Sequence, residues 1–364
     1  MNSRERFHAT MQYGAVDRPW CWEMGPYPAT VDRWLREGLR SRADLPYVGQ
    51  YDRLEHVGVN FWQDPPFEPR VIEETDEHTV YQDADGVTKE RTRQAGAGSA
   101  YPAMPRYVSF PVTDRASWRR FRRERLDPHS PTRFDYHFAD RAAEWQTRTF
   151  PLRAAYVTLF GLLRNWIGIE NIALMFHDDP AFIEECAADM AEYQTTILER
   201  LLPSVQPDWL EFWEDMAYKT GSLIDPRVYR RVFVPHYTRM IELIRRYAPA
   251  DRTVLVLDSD GHIEELIPIW LDMGIDAVLP MEVAAGMDVA RLRARFGRSL
   301  RMFGGIDKRI LATGGRREIE QMVNGIADVV RQGGYVPGCD HNIPEDVPYD
   351  NYRYYRDLIN ALGR

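Results

Sequence analysis

The chain has 364 residues, of which 44% are hydrophobic and 12% aromatic, so it can build a large apolar core and is not an intrinsically disordered protein. Its 46 Lys and Arg residues are outnumbered by 55 Asp and Glu residues, and a net charge of −9 argues against a nucleic-acid partner. The cysteines Cys21, Cys186 and Cys339 form no CxxC pair, which excludes a disulfide framework and a structural zinc knuckle.

The sequence contains no apolar stretch near the roughly 18 to 20 residues that cross a membrane. The segment MNSRERFHATM at its start also lacks the apolar core of a signal peptide. We therefore expect a cytoplasmic enzyme with a small-molecule substrate and no membrane partner.

The first 150 residues give a mixed pattern. Asn2 to Tyr13 is typical of a helix that Ser3 would cap, and Val16 to Met24 of a strand. Residues 29–150 are less regular, and we expect them to form an insertion or to cover one mouth of the fold. Within them, Arg70 to Arg91 predicts a hairpin with an Asp-Gly turn.

One segment of this region, Arg115 to Arg125, carries six arginines in eleven residues. Such a run is either an anion-binding patch or the solvated face of an amphipathic helix. The pattern favours the helix face.

From residue 151 onward, short apolar runs end abruptly in polar residues. These runs are Pro151 to Gly161, Trp209 to Asp215, Val254 to Asp260, Ala277 to Glu282, Leu300 to Asp307 and Tyr335 to His341. Runs without alternation are typical of strands buried on both faces.

Helical patterns follow these runs. Two begin at the Asp-Pro pairs of residues 179–180 and 225–226, and the others cover Ile263 to Met273, Val289 to Phe296, Arg316 to Arg331 and Tyr352 to Leu362. With Val16 to Met24 as a seventh strand and an eighth within residues 29–150, the pattern predicts the α/β class. We expect a single (β/α)₈ TIM barrel spanning residues 1–364, with an irregular N-terminal excursion.

In a barrel of this kind, chemistry gathers where the strands end. The motif LDSDGH places Asp258 and Asp260 two residues apart at a strand end, where both can face one ligand. Asp260 is equally suited to cap the next helix, whereas Asp258 is harder to explain as a cap.

Other strand ends supply further candidates. Cys339 is either core filler or a metal ligand, and His341 is a ligand, an acid or base, or a brace for its loop. Arg164 would either clamp a substrate carboxylate or form a structural ion pair. The remaining candidates are Glu282 as a metal ligand, Asp215 and Asp307 as catalytic carboxylates, and Glu214 and His262 as substrate contacts.

Clustered carboxylates bind a divalent cation, or they repel one another so that one stays protonated and acts as a general acid. The sequence contains no Walker loop, nucleophile elbow, HExxH or GxGxxG motif. It therefore lacks the usual signatures of NTP-binding, hydrolytic and dinucleotide-binding sites.

The order of several motifs resembles the uroporphyrinogen decarboxylase superfamily, which also includes cobalamin-dependent methyltransferases acting on thiols. The motifs are RERFHATMQYGAVDRPW, FGLLRNWIG, WEDMAYKTG, LDSDGH, GIDAVLPMEVAAGMD, FGGIDKRIL and GGYVPGCDHNIPEDVPYDNYRYY. The resemblance covers most of the chain and implies the same barrel. The stretch Cys21 to Pro28 departs from the arginine-containing RQAGRY-type segment of true uroporphyrinogen decarboxylases.

The methyltransferase branch is more similar at the site. There a His-x-Cys-Gly motif, a later Glu and a C-terminal Cys surround zinc, and the matching positions here are Asp258, Asp260, Glu282 and Cys339. The resemblance thus implies a divalent metal, either zinc or a harder ion, and a corrinoid held by a separate protein. Superfamily members often pair, which leaves a homodimer as an open expectation.

Three functional hypotheses follow from these patterns. The first is a metal-dependent, methyltransferase-type enzyme in which His341 or Asp215 carries the proton. The second is a cofactor-free decarboxylase of a porphyrinogen or another carboxylated small molecule, with Asp215 or Asp258 as the catalytic carboxylate. The third is a non-catalytic binding protein.

Overall fold

The computed structural model describes residues 1–92 and 105–362. The strands in these ranges are β1 (Glu55–His56), β2 (Arg70–Glu74), β3 (His78–Gln82), β4 (Thr88–Thr92), β5 (Arg106–Ser109), β6 (Leu152–Val157), β7 (Trp209–Trp213), β8 (Ala217–Tyr218), β9 (Gly221–Ser222), β10 (Val254–Asp258), β11 (Ala277–Met281), β12 (Arg301–Ile306) and β13 (Tyr335–Cys339).

The α-helices in the same ranges are α1 (Ser3–Met11), α2 (Pro28–Arg36), α3 (Leu45–Val48), α4 (Arg115–Arg125), α5 (Phe138–Glu144), α6 (Phe160–Ile167), α7 (Ile169–Asp178), α8 (Pro180–Leu201), α9 (Pro226–Val232), α10 (Val234–Tyr247), α11 (Ile267–Met273), α12 (Val289–Phe296), α13 (Lys308–Thr313), α14 (Arg316–Gln332) and α15 (Tyr349–Ala361).

The main sheet is parallel and has seven strands, in the order β1-β6-β7-β10-β11-β12-β13. Its strands β10, β11 and β13 are buried along their whole length, as their continuous apolar runs require. Helices connect successive strands, so the fold is of the α/β class and resembles a TIM barrel. The six strands predicted from residue 151 onward are confirmed.

The prediction of a strand at Val16 to Met24 is wrong. The amide of Cys21 donates to the carboxylate of Asp52 at 3.0 Å instead of to a strand carbonyl, so this segment forms no ladder. The chain just after it is nevertheless tied to the loop that follows β13, because Pro26 forms an isolated parallel bridge with Ile343. The first strand of the sheet is β1, which lies within residues 29–150, where the sequence predicts one further strand.

A second, antiparallel sheet has the order β2-β3-β4-β5 and is inserted between β1 and β6 of the main sheet. The predicted hairpin is confirmed as β3 and β4, with Val80 opposite Glu90. Its turn is stabilised by the side chain of Asp83, which accepts hydrogen bonds at 3.0 Å from the amides of Asp85 and Val87.

Most predicted helix starts are confirmed. Asp179 and Asp225 accept hydrogen bonds from the amides of the following first turns. The predicted cap of α1 is wrong, because Asn2 caps it while the hydroxyl of Ser3 donates to the carbonyl of Arg53 at 2.7 Å. The arginine-rich segment is the amphipathic helix α4.

The arginine face of α4 is matched by acidic residues of α8. Arg122 lies 2.7 Å from Asp189 and 2.7 Å from Glu192, while Trp118 and Phe121 on the opposite side of α4 are buried. Among the described helices, none is long and apolar enough to cross a membrane.

Candidate functional site

A buried ion pair joins the neighbouring strands β6 and β7, with Arg153 near the amino end of β6. Arg153 on β6 donates from Nε to Oε2 of Glu211 on β7 at 2.8 Å, and a second contact joins Nη2 to Oε1. Glu211 is fully buried and Arg153 is 9% exposed. We call these two residues the buried pair.

Asp258 lies one step nearer the mouth than the buried pair. Glu211 is the register partner of Val256, and Asp258 is two residues further along β10, on the same face of the sheet. The side chain of Asp258 is almost entirely buried, yet it stands at the point where the strand opens into the loop.

Burial raises the pKa of Asp258 well above the ordinary aspartate range, and the carboxylates of Glu211, Asp260 and Asp215 raise it further. The guanidinium of Arg153 acts in the opposite direction but is already bound to Glu211. These surroundings therefore favour the protonated form of Asp258 over its carboxylate. This is the property of a general acid.

Three aromatic rings flank Asp258, and we call them the aromatic wall. Trp213 is the register partner of Asp258 on the neighbouring strand, and its ring stacks on Trp62 with centroids 5.4 Å apart. Tyr156 stands at 88° to Trp62 and 76° to Trp213, with centroid distances of 5.6 Å and 6.4 Å. Tyr156 is 39% exposed, so part of the wall faces the solvent.

An ion pair lies beside the aromatic wall. Arg164 on α6 donates to Asp215 at 2.7 Å, and its guanidinium lies 5.4 Å from the centroid of Trp213. Asp215 has a φ of +42°, a backbone conformation that non-glycine residues rarely adopt. Both the clamp and the ion-pair interpretations of Arg164 agree with this position.

On the other side of the mouth, Nε2 of His341 lies 3.4 Å from Asp260, and Nδ1 lies 3.4 Å from the hydroxyl of Tyr27. Burial alone would lower the pKa of His341, but the hydrogen bond and charge of Asp260 outweigh it and raise that pKa. The His341 imidazole therefore has a polar partner on each ring nitrogen.

The four predicted metal ligands do not converge. Glu282 accepts from the amide of Gly261 at 2.9 Å, and the amide of Cys339 is directed to Glu23 at 3.3 Å. Across residues 1–92 and 105–362, no three His, Cys, Asp or Glu side chains form a group suited to a metal ion. The donor set implied by the resemblance, which consists of Asp258, Asp260, Glu282 and Cys339, therefore does not fit a metal in this arrangement.

The surroundings of Cys339 explain its position. Its thiol pKa is well above the usual range because the residue is buried and because Glu23 and Asp340 lie nearby. Glu23 is itself held by Tyr355 at 2.9 Å and Arg356 at 3.1 Å. Cys339 is thus a neutral thiol within a packed network.

The next predicted site residue, Glu214, is held by hydrogen bonds within the core. Glu214, predicted as a substrate contact, is fully buried and accepts from the amide of Leu159 at 3.1 Å and the hydroxyl of Thr158 at 3.2 Å. Its burial raises its pKa to about 7. It fixes the turn before α6 and does not open to the mouth.

Asp307, predicted as catalytic, caps α13 and accepts from Nε and Nη2 of Arg309 at 2.9 Å and 2.8 Å. Burial opposes these contacts, but they lower the pKa of Asp307. His262, the remaining predicted substrate contact, is partly buried in the loop after β10, where its amide donates to the carbonyl of Tyr218 at 2.9 Å.

The family model described as uroporphyrinogen decarboxylase (URO-D) matches residues 122–362, which include every strand from β6 to β13. The chain belongs to the URO-D family. This membership identifies the protein as an enzyme, as the polar strand ends described above also predict.

This URO-D family member is also similar to one curated relative and to two solved structures. A uroporphyrinogen decarboxylase of Gloeobacter violaceus is 24% identical over 140 residues, a match that spans 38% of this chain and 38% of that protein. A methyltransferase from Methanosarcina mazei covers 99% of both chains with a TM-score of 0.59 and 11% identity, which shows a shared fold. A B12-independent methionine synthase from Shewanella sp. W3-18-1 gives a TM-score of 0.38 at 14% identity, over 62% of this chain and 65% of that one.

Sequence reasoning missed five residues of this URO-D site. A charged residue inside a strand buried on both faces needs a partner, and that signal was present for Arg153 and Glu211. No comparable pattern marks Trp62 or Tyr27, because their positions depend on how separate loops fold over the mouth. Tyr156 was missed for another reason, because it is an exposed position on the otherwise largely buried strand β6.

Proposed function

We propose that this URO-D family member is a decarboxylase-type enzyme that protonates a small carboxylated molecule at the mouth of a complete (β/α)₈ barrel. The eighth position of that barrel would be held by the extended segment before Pro26. The observation that carries the proposal is Asp258, a buried acid at a strand end whose pKa is raised well above its ordinary range.

The reaction would begin with transfer of the Asp258 proton to the substrate carbon that bears the carboxylate. The bond between that carbon and the carboxylate then breaks, its electron pair returns to the substrate, and carbon dioxide leaves. The Asp258 carboxylate regains a proton from water, so one proton is consumed for each turnover. The neighbouring charge of Glu211 favours this reprotonation.

Arg164 is the cation best placed to hold the substrate carboxylate. Its Nη2 is bound to Asp215, but its Nε is buried without a hydrogen-bond partner in the described part of the chain. A carboxylate arriving beside Trp213 would accept from that group. This role agrees with the clamp predicted from the sequence.

The test is release of carbon dioxide from a panel of carboxylic acids, uroporphyrinogen included, in the presence of a chelator. We expect Asp258→Asn to lower the rate by about 100-fold or more, the usual contribution of a general acid. Asp272→Asn is the matched control, because it makes the same chemical change at a side chain that is 63% exposed. Equal rates for the wild type and Asp258→Asn would contradict the proposal.

A second candidate is the metal-dependent methyl transfer that the resemblance implies, with a corrinoid on a partner protein. The contact between Asp260 and His341 favours it, because a histidine paired with a carboxylate can carry the proton that this hypothesis requires. Metal analysis of purified protein separates the candidates: methyl transfer requires a bound metal that is lost in Asp260→Asn and Cys339→Ser. A non-catalytic binding protein would show neither carbon dioxide release nor methyl transfer.

A further inference from the structure

We infer that the aromatic wall selects substrates in which the carboxylate is attached to a single flat aromatic ring, and that the N-terminal sheet sets this selection through Asp85. The inference rests on the proposed function, because it names the class of substrate that would bind at the same mouth of the barrel. It assigns roles to Trp62, Tyr156 and Asp85.

The first step is the position of the wall relative to the reacting groups. Trp213 stands beside the acid Asp258 in the strand register and within 5.4 Å of the guanidinium of Arg164. A ring that packs against the wall therefore lies between a proton donor and a cation. A carboxylate on that ring would bind Arg164, because Arg153, whose guanidinium lies 5.8 Å from the Tyr156 centroid, is already bound to Glu211.

The second step is the shape of the wall. Trp62 and Trp213 are inclined by 29° to each other, whereas Tyr156 is close to perpendicular to both. The three rings thus present both faces and edges, the two surfaces against which another aromatic ring packs favourably. Saturated rings of the same size lack the quadrupole that makes such packing specific.

The third step is how Trp62 is held. Its indole Nε1 donates to Oδ1 of Asp85 at 3.1 Å, and Nε2 of the neighbouring Gln63 donates to the same oxygen at 2.7 Å. Asp85 lies in the turn between β3 and β4 of the antiparallel sheet. Gln63 also accepts from the indole of Trp166 at 3.2 Å, which ties this segment to α6.

These contacts make Asp85 a positioning residue. It does not touch the mouth itself, but its carboxylate fixes the plane of the Trp62 ring against Trp213. Because Asn keeps the accepting oxygen and Ala removes it, Asp85→Asn and Asp85→Ala separate this role from a general loss of structure.

The experiment measures equilibrium binding of benzoate and of cyclohexanecarboxylate, two acids of equal charge and similar size, by calorimetry. We expect the full-length protein to prefer benzoate by roughly 2- to 10-fold, the range of one aromatic pair. Trp62→Leu and Tyr156→Leu should each remove most of this preference while leaving cyclohexanecarboxylate binding almost unchanged. Tyr47→Leu, at a ring that is 80% exposed, is the control.

Asp85→Ala should lose the preference and Asp85→Asn should keep it. A wild-type protein that binds both acids equally, or a Trp62→Leu protein that retains the preference, would overturn the inference. Asp258→Asn should keep the preference, because it removes the proton and not the wall. Failure of the proposed function therefore appears in carbon dioxide release, and failure of this inference appears in the ratio of the two affinities.

Discussion

Asp258 and Trp213 are register partners on two neighbouring parallel strands, so a buried carboxylic acid and an aromatic ring stand side by side at the mouth of the sheet. The ring contributes to the low polarity that keeps the acid protonated, and the acid gives the aromatic surface a reactive group. Chemistry and substrate recognition therefore meet at one pair of strand ends.

The buried pair gives a prediction on stability. Arg153→Met leaves the carboxylate of Glu211 buried without its partner, and we expect the free energy of unfolding to fall by roughly 3 to 5 kcal/mol. The double variant with Glu211→Met should recover most of this loss. Chemical denaturation measures both effects.

The matched control for that prediction is an exposed pair. Arg227 lies 2.7 Å from Asp225 and its side chain is 91% exposed, so Arg227→Met should leave the free energy of unfolding almost unchanged. A similar small effect of Arg153→Met would show that Glu211 does not depend on its partner.

Glu214 gives a prediction on pH. Its folded-state pKa of about 7 is raised above the unfolded value because it is buried, so the folded state binds its proton more tightly. The protonated side chain of Glu214 therefore contributes roughly 3 kcal/mol to the free energy of unfolding below about pH 4. This contribution falls as the pH rises and is lost by about pH 8.

We therefore expect Glu214→Gln to flatten the decline in unfolding free energy between about pH 5 and about pH 8, as measured by urea titrations. Glu242→Gln, on the solvent side of α10, serves as the control. Parallel curves for the wild type and Glu214→Gln would mean that Glu214 is ionised throughout this range.

His341 gives a third prediction. Since Asp260 outweighs the effect of burial and raises the pKa of His341, Asp260→Asn should lower that pKa. Histidine-selective NMR titration would show one resonance moving to a lower midpoint, assigned by its absence from His341→Gln. Asp272→Asn, at a side chain that is 63% exposed, should leave the midpoint in place.

The neutral thiol of Cys339 gives a fourth prediction. Because burial and nearby carboxylates raise its pKa, Cys339 should react with a thiol reagent far more slowly in the folded protein than after unfolding. Mass spectrometry of the labelled peptide follows this reaction. Rapid labelling of Cys339 in the folded protein would indicate a thiolate, as a metal site requires.

Much of the fold can be predicted from the sequence, because strands such as β10 and β11 are apolar on both faces and end at charged residues. The conformation of the segment around Cys21 could not be predicted, because the amide of Cys21 donates a hydrogen bond to Asp52, a residue 31 positions later. Local pattern carries no information about such a tertiary contact.

The candidate site likewise contains some residues that the sequence predicts and others that it does not. Asp258, Asp260 and His341 follow from the position of strand ends, and the structure places them around one mouth. Trp62 reaches that mouth only because Asp85 holds it. The direction of Cys339 likewise depends on Glu23, which the sequence does not connect to it.

The most direct test of the proposed acid is an NMR titration of protein labelled with ¹³C at the aspartate side-chain carboxyls, which leaves Glu214 silent. We predict one aspartate that titrates far above the ordinary range and whose signal is absent from Asp258→Asn. If every aspartate titrates within the ordinary range of about 2 to 5, Asp258 is ionised near neutral pH and cannot be the proton donor.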